Sequence, residues 1–371
     1  MVDDGPIRSY NVVGSDHAAD RGVDGIEAIG GQAMAATLHD VARLAGVSIK
    51  TVSNVINDYP HIRPTTRERV EAAIAELGYT PNLTARSLRS GRTGAIALAV
   101  PDLALAYFAE LAASVIAAAE ASGFVVTIEQ TGSGGRQREI DLLTSPRRKM
   151  SDGLIFSPLE MSQDDVAHLN VDYPLVLLGE RIFEGPTDHL TMRNVEAARA
   201  ATEYLIDSGR RRIAIVGAHE GELIGSAALR LRGYREALES RGIPFDGRLI
   251  GPSIEWHRAN GARSMREIIE RGAEFDAVFA LNDTLAFGAM RALQEAGLRV
   301  PDDVAVMGFD DIDEAQYSIP SLSTVDPGRA WIARTAVTTL IERIEGLDAP
   351  PRLLLADFEL VQRESALAIS R

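Results

Sequence analysis

The stretch LHDVARLAGVSIKTVSNVIN, Leu38 to Asn57, reads as two short helices joined by one tight turn. Thr37 followed three residues later by Asp40 is a capping pattern, in which a hydroxyl and a carboxylate satisfy orphan amide donors at a helix start. Val41, Leu44 and Ala45 then line one face at helical spacing, and Gly46 stands where the chain must turn and a left-handed backbone is cheapest. Ser48 can cap a second helix. Within it Val52, Val55 and Ile56 fall on one side, and Ile49, Lys50, Ser53, Asn54 and Asn57 on the other. A major groove accepts one helix and offers donors, acceptors and thymine methyls, which amide, ammonium, hydroxyl and small apolar side chains can read. Spacing alone also fits an ordinary helical hairpin with a solvated face, since shape does not fix function.

The residue types separate the two readings. Asp40-Val41-Ala42, Ala45-Gly46-Val47-Ser48, Thr51-Val52-Ser53 and the closing Asn57 resemble the DNA-binding headpiece of the lactose-repressor (LacI/GalR) family, whose pattern runs D-V-A, A-G-V-S, T-V-S and Asn. The resemblance implies that Thr37, Leu38, Ser48, Ile49, Lys50, Thr51, Ser53, Asn54 and Asn57 contact double-stranded operator DNA. Many relatives carry Arg where this chain has Asn54, so the base preference at that position differs from theirs.

The whole chain is acidic, with a formal charge of −15 over 371 residues, 46% of them hydrophobic, and no cysteine. Such a chain can bury a sizeable core in two or more units and has neither a disulfide framework nor a thiolate metal site. No apolar run is long enough to span a bilayer, and a cytoplasmic location is the expectation. The charge is unevenly placed. Between Thr37 and Thr93 eight Arg and Lys stand against five Asp and Glu, so a basic surplus sits in the small headpiece. Residues 1–35 are rich in Gly and Asp, lack periodicity and show no signal peptide; a disordered tail is expected there, with translation beginning at Met34 as a plain alternative.

Residues 36–80 form the expected headpiece. Pro64 and a Thr65-to-Glu68 capping box open a third helix, with Val70, Ile74 and Leu77 facing inward and Gly78 ending it. Pro81 then introduces NLTARSLRSGRTG, too short and polar to be a stable helix alone. By the resemblance, residues 81–93 are a hinge helix that folds on DNA in a dimer, with Asn82, Ala85 and Arg86 at the duplex and Leu88 wedged into the minor groove, where unstacking kinks the DNA and gains contacts. The competing reading is a charged linker with incidental leucines.

From Gly94 onward short apolar runs alternate with helical stretches. AIALAV, VVTI, GLIF and LVLL form one series of strands, and RRIAIVG, DAVFALN and VAVMGF a second, which is the signature of βαβ units in an α/β fold with two parallel sheets. Ligands of such sheets sit at the carboxyl ends of strands, here in a cleft between two halves. The arrangement is similar to the periplasmic-binding-protein-like core of the same family. That likeness divides residues 94–371 into a first subdomain of about 94–188 and 326–354 and a second of about 189–325 and 355–371, with three crossings between them.

The resemblance also assigns an effector site. Asn282 of Asn282-Asp283, Asp310 of Gly308-Phe309-Asp310-Asp311, and Arg230 of an R-x-x-G pattern ending at Gly233 occupy ligand-binding positions. Trp256, five residues before Gly261, matches a sugar-stacking tryptophan, and Tyr107 and Phe108 match an aromatic pair lining the cleft. Taken singly each has a plainer reading as a helix cap or core residue. The chain departs from its relatives at Gly179, where an Asp is common and Glu180 and Arg181 follow, and at Arg193 beside Asn194.

The sequence therefore points to a homodimeric, ligand-gated transcriptional regulator, a repressor released from its operator by a small carbohydrate. A repressor needing a purine-like corepressor is the alternative. An enzyme is disfavoured, because no phosphate-binding glycine loop, nucleophile elbow or metal-spaced His cluster occurs; Gly132 to Gly135 reads as a turn before Arg136. No cofactor, metal or membrane partner is expected. A transporter's sugar-binding protein would need an export signal and no headpiece. Dimer and tetramer both remain open, and a dimer is the simpler expectation, since no heptad tail like that of tetrameric relatives follows the last strand.

Overall fold

A computed structural model describes residues 36–56, 59–79, 92–218, 221 and 224–367. The expected tail over residues 1–35, Asn57, and the hinge residues Asn82, Ala85, Arg86 and Leu88 lie outside the described residues. The chain divides into two units, at residues 1–82 and 83–371.

In the first unit, α1 (Leu38–Ala45) is capped by Thr37 and Asp40 acting reciprocally, and it ends at Gly46, whose φ of +64° is left-handed. α2 (Ile49–Ile56) follows after Ser48, whose hydroxyl accepts the Thr51 amide at 3.1 Å. α3 (Pro64–Leu77) closes on Gly78 at φ +57°. Its start differs from the expected Thr65–Glu68 box. The helix begins at Pro64 itself, which needs no amide partner at the first position, and Arg63 precedes it without a side-chain cap. Val41, Ala42, Ala45, Val52, Val55, Val70, Ala73 and Tyr79 form the buried core. Leu44, expected inside, is 45% exposed, because the buried stripe is centred on Val41 and Ala45 and reaches Ala42 before Leu44. Arg69 donates from Nε to the Ala45 carbonyl at 3.2 Å and from Nη2 to the Gly46 carbonyl at 3.1 Å, satisfying the open end of α1.

The second unit opens with β1 (Ala95–Val100), α4 (Ala106–Ala121), β2 (Val125–Gln130), α5 (Gly135–Thr144), β3 (Leu154–Phe156), β4 (Leu175–Leu178) and β5 (Asp188–Met192). There follow α6 (Asn194–Asp207), β6 (Ile213–Val216), α7 (Ser226–Ser240), β7 (Ile250–Gly251), α8 (Arg258–Glu270), β8 (Ala277–Ala280), α9 (Asp283–Glu295) and β9 (Ala305–Met307). β10 (Thr324–Asp326), α10 (Arg329–Ile344), β11 (Leu353–Ala356) and β12 (Glu359–Val361) complete it.

The first lobe is a six-stranded sheet in the order β11-β5-β4-β3-β1-β2, and the second a four-stranded sheet in the order β7-β6-β8-β9; β10 and β12 pair separately. Every pairing within the two larger sheets is parallel, with Ala97, for example, opposite both Thr127 and Leu154. β1, β3, β4, β6, β8 and β9 are apolar and almost wholly buried, as strands covered on both faces must be.

The first crossing falls after Met192. The sequence reading placed it near residue 188, but β5 pairs with both β4 and β11 and so belongs to the first lobe. Its polar residue Asp188 is buried through ion pairs with Arg343 at 2.7 Å and Arg352 at 3.1 Å. α10 returns to the first lobe, where Ile332, Ala336 and Leu340 join its core.

Candidate functional site

The headpiece presents its sequence-assigned residues unevenly. Lys50 and Ser48 are exposed, and Thr51, Ser53 and Asn54 are half-buried, with Val52 and Val55 beneath them in the core. Ile49 and Leu38 pack against that core. Ile49, expected on the outward face, lies a quarter turn from its centre, where a short helix meets its neighbours. Thr37 is exposed, and its hydroxyl is bonded to Asp40 at 2.6 Å. The helix thus offers an ammonium, an amide and hydroxyls on a rigid support, suited to base edges in a major groove.

The second candidate site lies where the two lobes of the core meet. Arg230, on α7, is 3% exposed. Its Nε donates to Asn194 Oδ1 at 2.7 Å, Nη1 donates to the Leu281 carbonyl, and Nη2 lies 3.7 Å from the Met192 sulfur. Nη1 is 3.9 Å from Asp310 Oδ1, and the guanidinium carbon lies 3.5 Å from the centre of the Phe309 ring and 5.4 Å from that of Trp256. The glycine of the R-x-x-G pattern explains this placement. A Cβ on Gly233 would stand 2.2 Å from the Val195 carbonyl, so only glycine lets α7 approach α6 closely enough to bring Arg230 to Asn194.

Asp310 follows β9 with a φ of +117°, a strained value for a residue with a side chain, which concentrates at sites the surrounding fold over-determines. Its carboxyl is 6% exposed. Burial pushes it up to about 7, against the pull of Arg230 and Arg329 and with reinforcement from Glu180 and Glu110. Asn282 caps α9, accepting the Leu285 amide at 2.7 Å, and donates to the Trp256 carbonyl at 3.2 Å. The plainer reading of Asn282 as a cap is thus fulfilled, and the same side chain fixes the Trp256 loop. Trp256 itself donates from its indole to the Gly217 carbonyl at 3.2 Å.

From the first lobe Tyr107 and Phe108 stack edge to face at 5.2 Å. Both pack on the first lobe's core, and the Tyr107 hydroxyl is pushed well above the ordinary phenol range by burial and by the charges of Asp310 and Glu180. The charges acting on Tyr107 place it near Asp310 and Glu180 of the cleft, with Phe108 against its ring.

Sequence reasoning missed part of the cleft. Glu180, 8% exposed, accepts from Thr191 at 3.3 Å, from Asn194 at 3.0 Å and from Ser226 of the other lobe at 2.6 Å. Glu110 accepts the Asp313 amide at 2.9 Å and pairs with Arg329 at 2.5 Å, while Arg329 donates to the Asp310 carbonyl at 2.8 Å. Arg181 reaches the Ile224 carbonyl at 3.0 Å, and His257 lies 3.4 Å from Asp102. These bonds tie the lobes together across the cleft mouth. The available signal was a charged residue just past a wholly apolar strand, as Glu180 is after LVLL and Gly179. Arg193, noted as a departure, pairs with Asp357 at 3.0 Å between two crossing segments.

Chemically, the cleft joins an aromatic ring to buried carboxylate, amide and guanidinium groups. Among the described residues no cluster of three His, Asp or Glu is set to hold a metal, and no helix is long and apolar enough to cross a membrane.

Comparison with known proteins covers both units of the chain. Residues 37–82 match the bacterial regulatory proteins of the lacI family, and residues 202–366 match the periplasmic binding protein-like domain. The ribose operon repressor of Haemophilus influenzae is 34% identical over 335 residues, covering 90% of this chain and 99% of that protein. A solved complex of the transcriptional regulator CelR with cellobiose is 32% identical, with a TM-score of 0.66 over 89% of this chain and 99% of that one. The lac repressor dimer bound to operator and the anti-inducer ONPF is 30% identical, with a TM-score of 0.78 over 90% of this chain and 99% of that one. The chain belongs to the lacI family of bacterial regulatory proteins and is a DNA-binding transcriptional regulator, with a helix-turn-helix headpiece and a periplasmic-binding-protein-like core.

Proposed function

We propose that this regulator is a cytoplasmic homodimeric repressor, without enzymatic activity, that a small carbohydrate releases from its operator. The observation that carries the ligand class is the pairing of Trp256 with buried Asp310, Asn282 and Arg230 at the carboxyl ends of the second lobe's strands. An aromatic face suits the apolar side of a sugar ring, and carboxylate and amide groups suit its hydroxyls. Relatives bear on the same point, since one is named for a ribose operon and another is solved with cellobiose. The lac repressor is solved as a dimer on operator, which supports the dimer.

A ligand touching Asp310 in one lobe and Tyr107 in the other favours the closed arrangement, and closure moves the segments that lead to the headpiece. Lys50 and Asn54 would then set base preference, while Arg86, Ala85 and Leu88 of the hinge would engage the minor groove. Operator must alter ligand affinity by the factor through which ligand alters operator affinity.

Electrophoretic retardation of the chain's own upstream DNA, with and without a panel of sugars and free purines, tests the reading. One sugar should release the DNA. Asp310→Ala should bind operator as wild type does and ignore that sugar. A purine that strengthens binding would replace the carbohydrate reading, and an unchanged sugar response in Asp310→Ala would remove Asp310 from the site.

A further inference from the structure

Three polar side chains link the lobes in series, and none of them is matched by the sequence motifs of the effector site except Arg230 at the end. Glu180, from the loop after β4, receives Asn194 Nδ2 at 3.0 Å, and Asn194 Oδ1 receives Arg230 Nε at 2.7 Å. The orientation of the Asn194 amide is thereby fixed by a carboxylate on one side and a guanidinium on the other. Arg230 is engaged elsewhere too, by the Leu281 carbonyl, by Asp310 at 3.9 Å and by the face of Phe309 at 3.5 Å. Arg329 is held in the same manner by Glu110 at 2.5 Å and by the Asp310 and Asp311 carbonyls at 2.8 and 3.3 Å. Two further basic groups between the lobes, Arg181 and His257, face the Ile224 carbonyl and Asp102.

The firmest protein partner for a phosphate or carboxylate ligand is a guanidinium whose N–H groups stand as an open fork. Turning Arg230 to such a ligand as a fork would strip donors from the buried Asn194 and Leu281 oxygens, leaving only Nη2, 3.7 Å from the Met192 sulfur, less firmly held, and would set a new negative charge among Asp310, Glu180 and Glu110. A hydroxyl meets the opposite situation, because it donates, and the cleft is rich in acceptors.

We propose that Glu180 is a specificity-determining residue: through Asn194 it holds Arg230 to the protein, and with Asp310 and Glu110 it reserves the cleft for uncharged, hydroxyl-bearing ligands, rejecting phosphorylated and carboxylated sugars. This rests on the carbohydrate reading above and narrows it.

Calorimetric titration of the full chain with matched pairs, ribose against ribose 5-phosphate and glucose or cellobiose against their 6-phosphates, tests the proposal, with inorganic phosphate as a separate probe. The neutral member of the responsive pair should bind on the order of 100-fold more tightly, and inorganic phosphate should not bind measurably. Glu180→Gln keeps size and removes charge, so it should narrow that gap at least about tenfold. Ser226→Ala leaves the Glu180 charge in place, so it should weaken both members and preserve the gap. A phosphorylated sugar bound as well as its neutral partner overturns the proposal. So does a gap that Glu180→Gln leaves unchanged; if that variant fails to fold, the wild-type gap decides alone. Binding of a free purine and of no sugar instead defeats the carbohydrate reading, and guanine against guanosine monophosphate then puts the same charge question to Glu180.

Discussion

On α2 Lys50 is exposed and Asn54 half-buried, above a helix held by Val52 and Val55; in the cleft Arg230, Asp310, Asn282 and Glu180 are 3, 6, 4 and 8% exposed and bonded to one another or to backbone. Lys50 and Asn54, the side chains proposed to set base preference, stand outside the headpiece core, so the apolar residues beneath carry the fold. The cleft residues carry fold and recognition together. Burying them costs desolvation whether or not a ligand is present, and their mutual pairing offsets that cost. Substitution should therefore separate the two regions by what it disturbs, partner choice in one and stability in the other.

The largest effect should come from Arg230→Ala. It leaves Asp310 without its nearest cation and the Asn194 and Leu281 oxygens without donors, and the core should lose about 3 to 5 kcal/mol in denaturant unfolding. A loss below about 1 kcal/mol would mean that the cleft is as weakly coupled to the fold as the recognition helix is.

A smaller effect follows from pH. With the Asp310 carboxyl raised to about 7, the folded chain keeps a proton that the unfolded chain releases near pH 4. Stability contributed there falls as pH rises through that window and levels off above about 7, by at most about 3 kcal/mol between pH 5 and 8. Burial lowers the value for His189, which works in the opposite sense by penalising acid, so the comparison must be with Asp310→Asn. Melting curves of wild type and Asp310→Asn should diverge across pH 5 to 7; parallel curves would place Asp310 in a more solvated setting than its 6% exposure indicates.

Asn54→Ala should disturb the fold least. Thermal stability should stay within about 0.5 kcal/mol of wild type, while selection from random operators should show preference changed by roughly 1 to 3 kcal/mol at one or two base pairs. The same operator motif from both proteins would take Asn54 out of base reading.

The same contrast governs what could be read from the chain. In the headpiece caps and periodicity act within a few residues, so Thr37, Asp40, Gly46 and Ser48 were legible. The misplacements were flank positions, Leu44 and Ile49, where an eight-residue helix leaves the edge of its buried stripe undetermined. The apolar strands were legible because burial on both faces demands such runs. β5 was not, since Asp188 and His189 look unlike a buried strand until Arg343 and Arg352 arrive from more than 150 residues later. Glu180 was only weakly legible, as a charge just past an apolar strand, because its partners Thr191, Asn194 and Ser226 lie 11, 14 and 46 residues further on. Arg230, Asn282 and Asp310 were singled out through motif likeness, but local spacing gave no hint of how far they are committed to one another and to the fold.

The threefold crossing between lobes bears on how the protein is made. β11, at residues 353–356, is the edge strand beside β5, and α10 covers the first lobe's core with Ile332, Ala336 and Leu340. On the ribosome the first lobe thus stays incomplete until residue 356, and the second, whose core includes Ala366, closes only after it. The sheet of the second lobe emerges whole by Met307, while Val176 and Leu190 of the first still await their cover. Domains usually fold in the order in which they emerge. In this chain nascent helpers would meet two unfinished lobes side by side, neither closed until almost the last codons are translated.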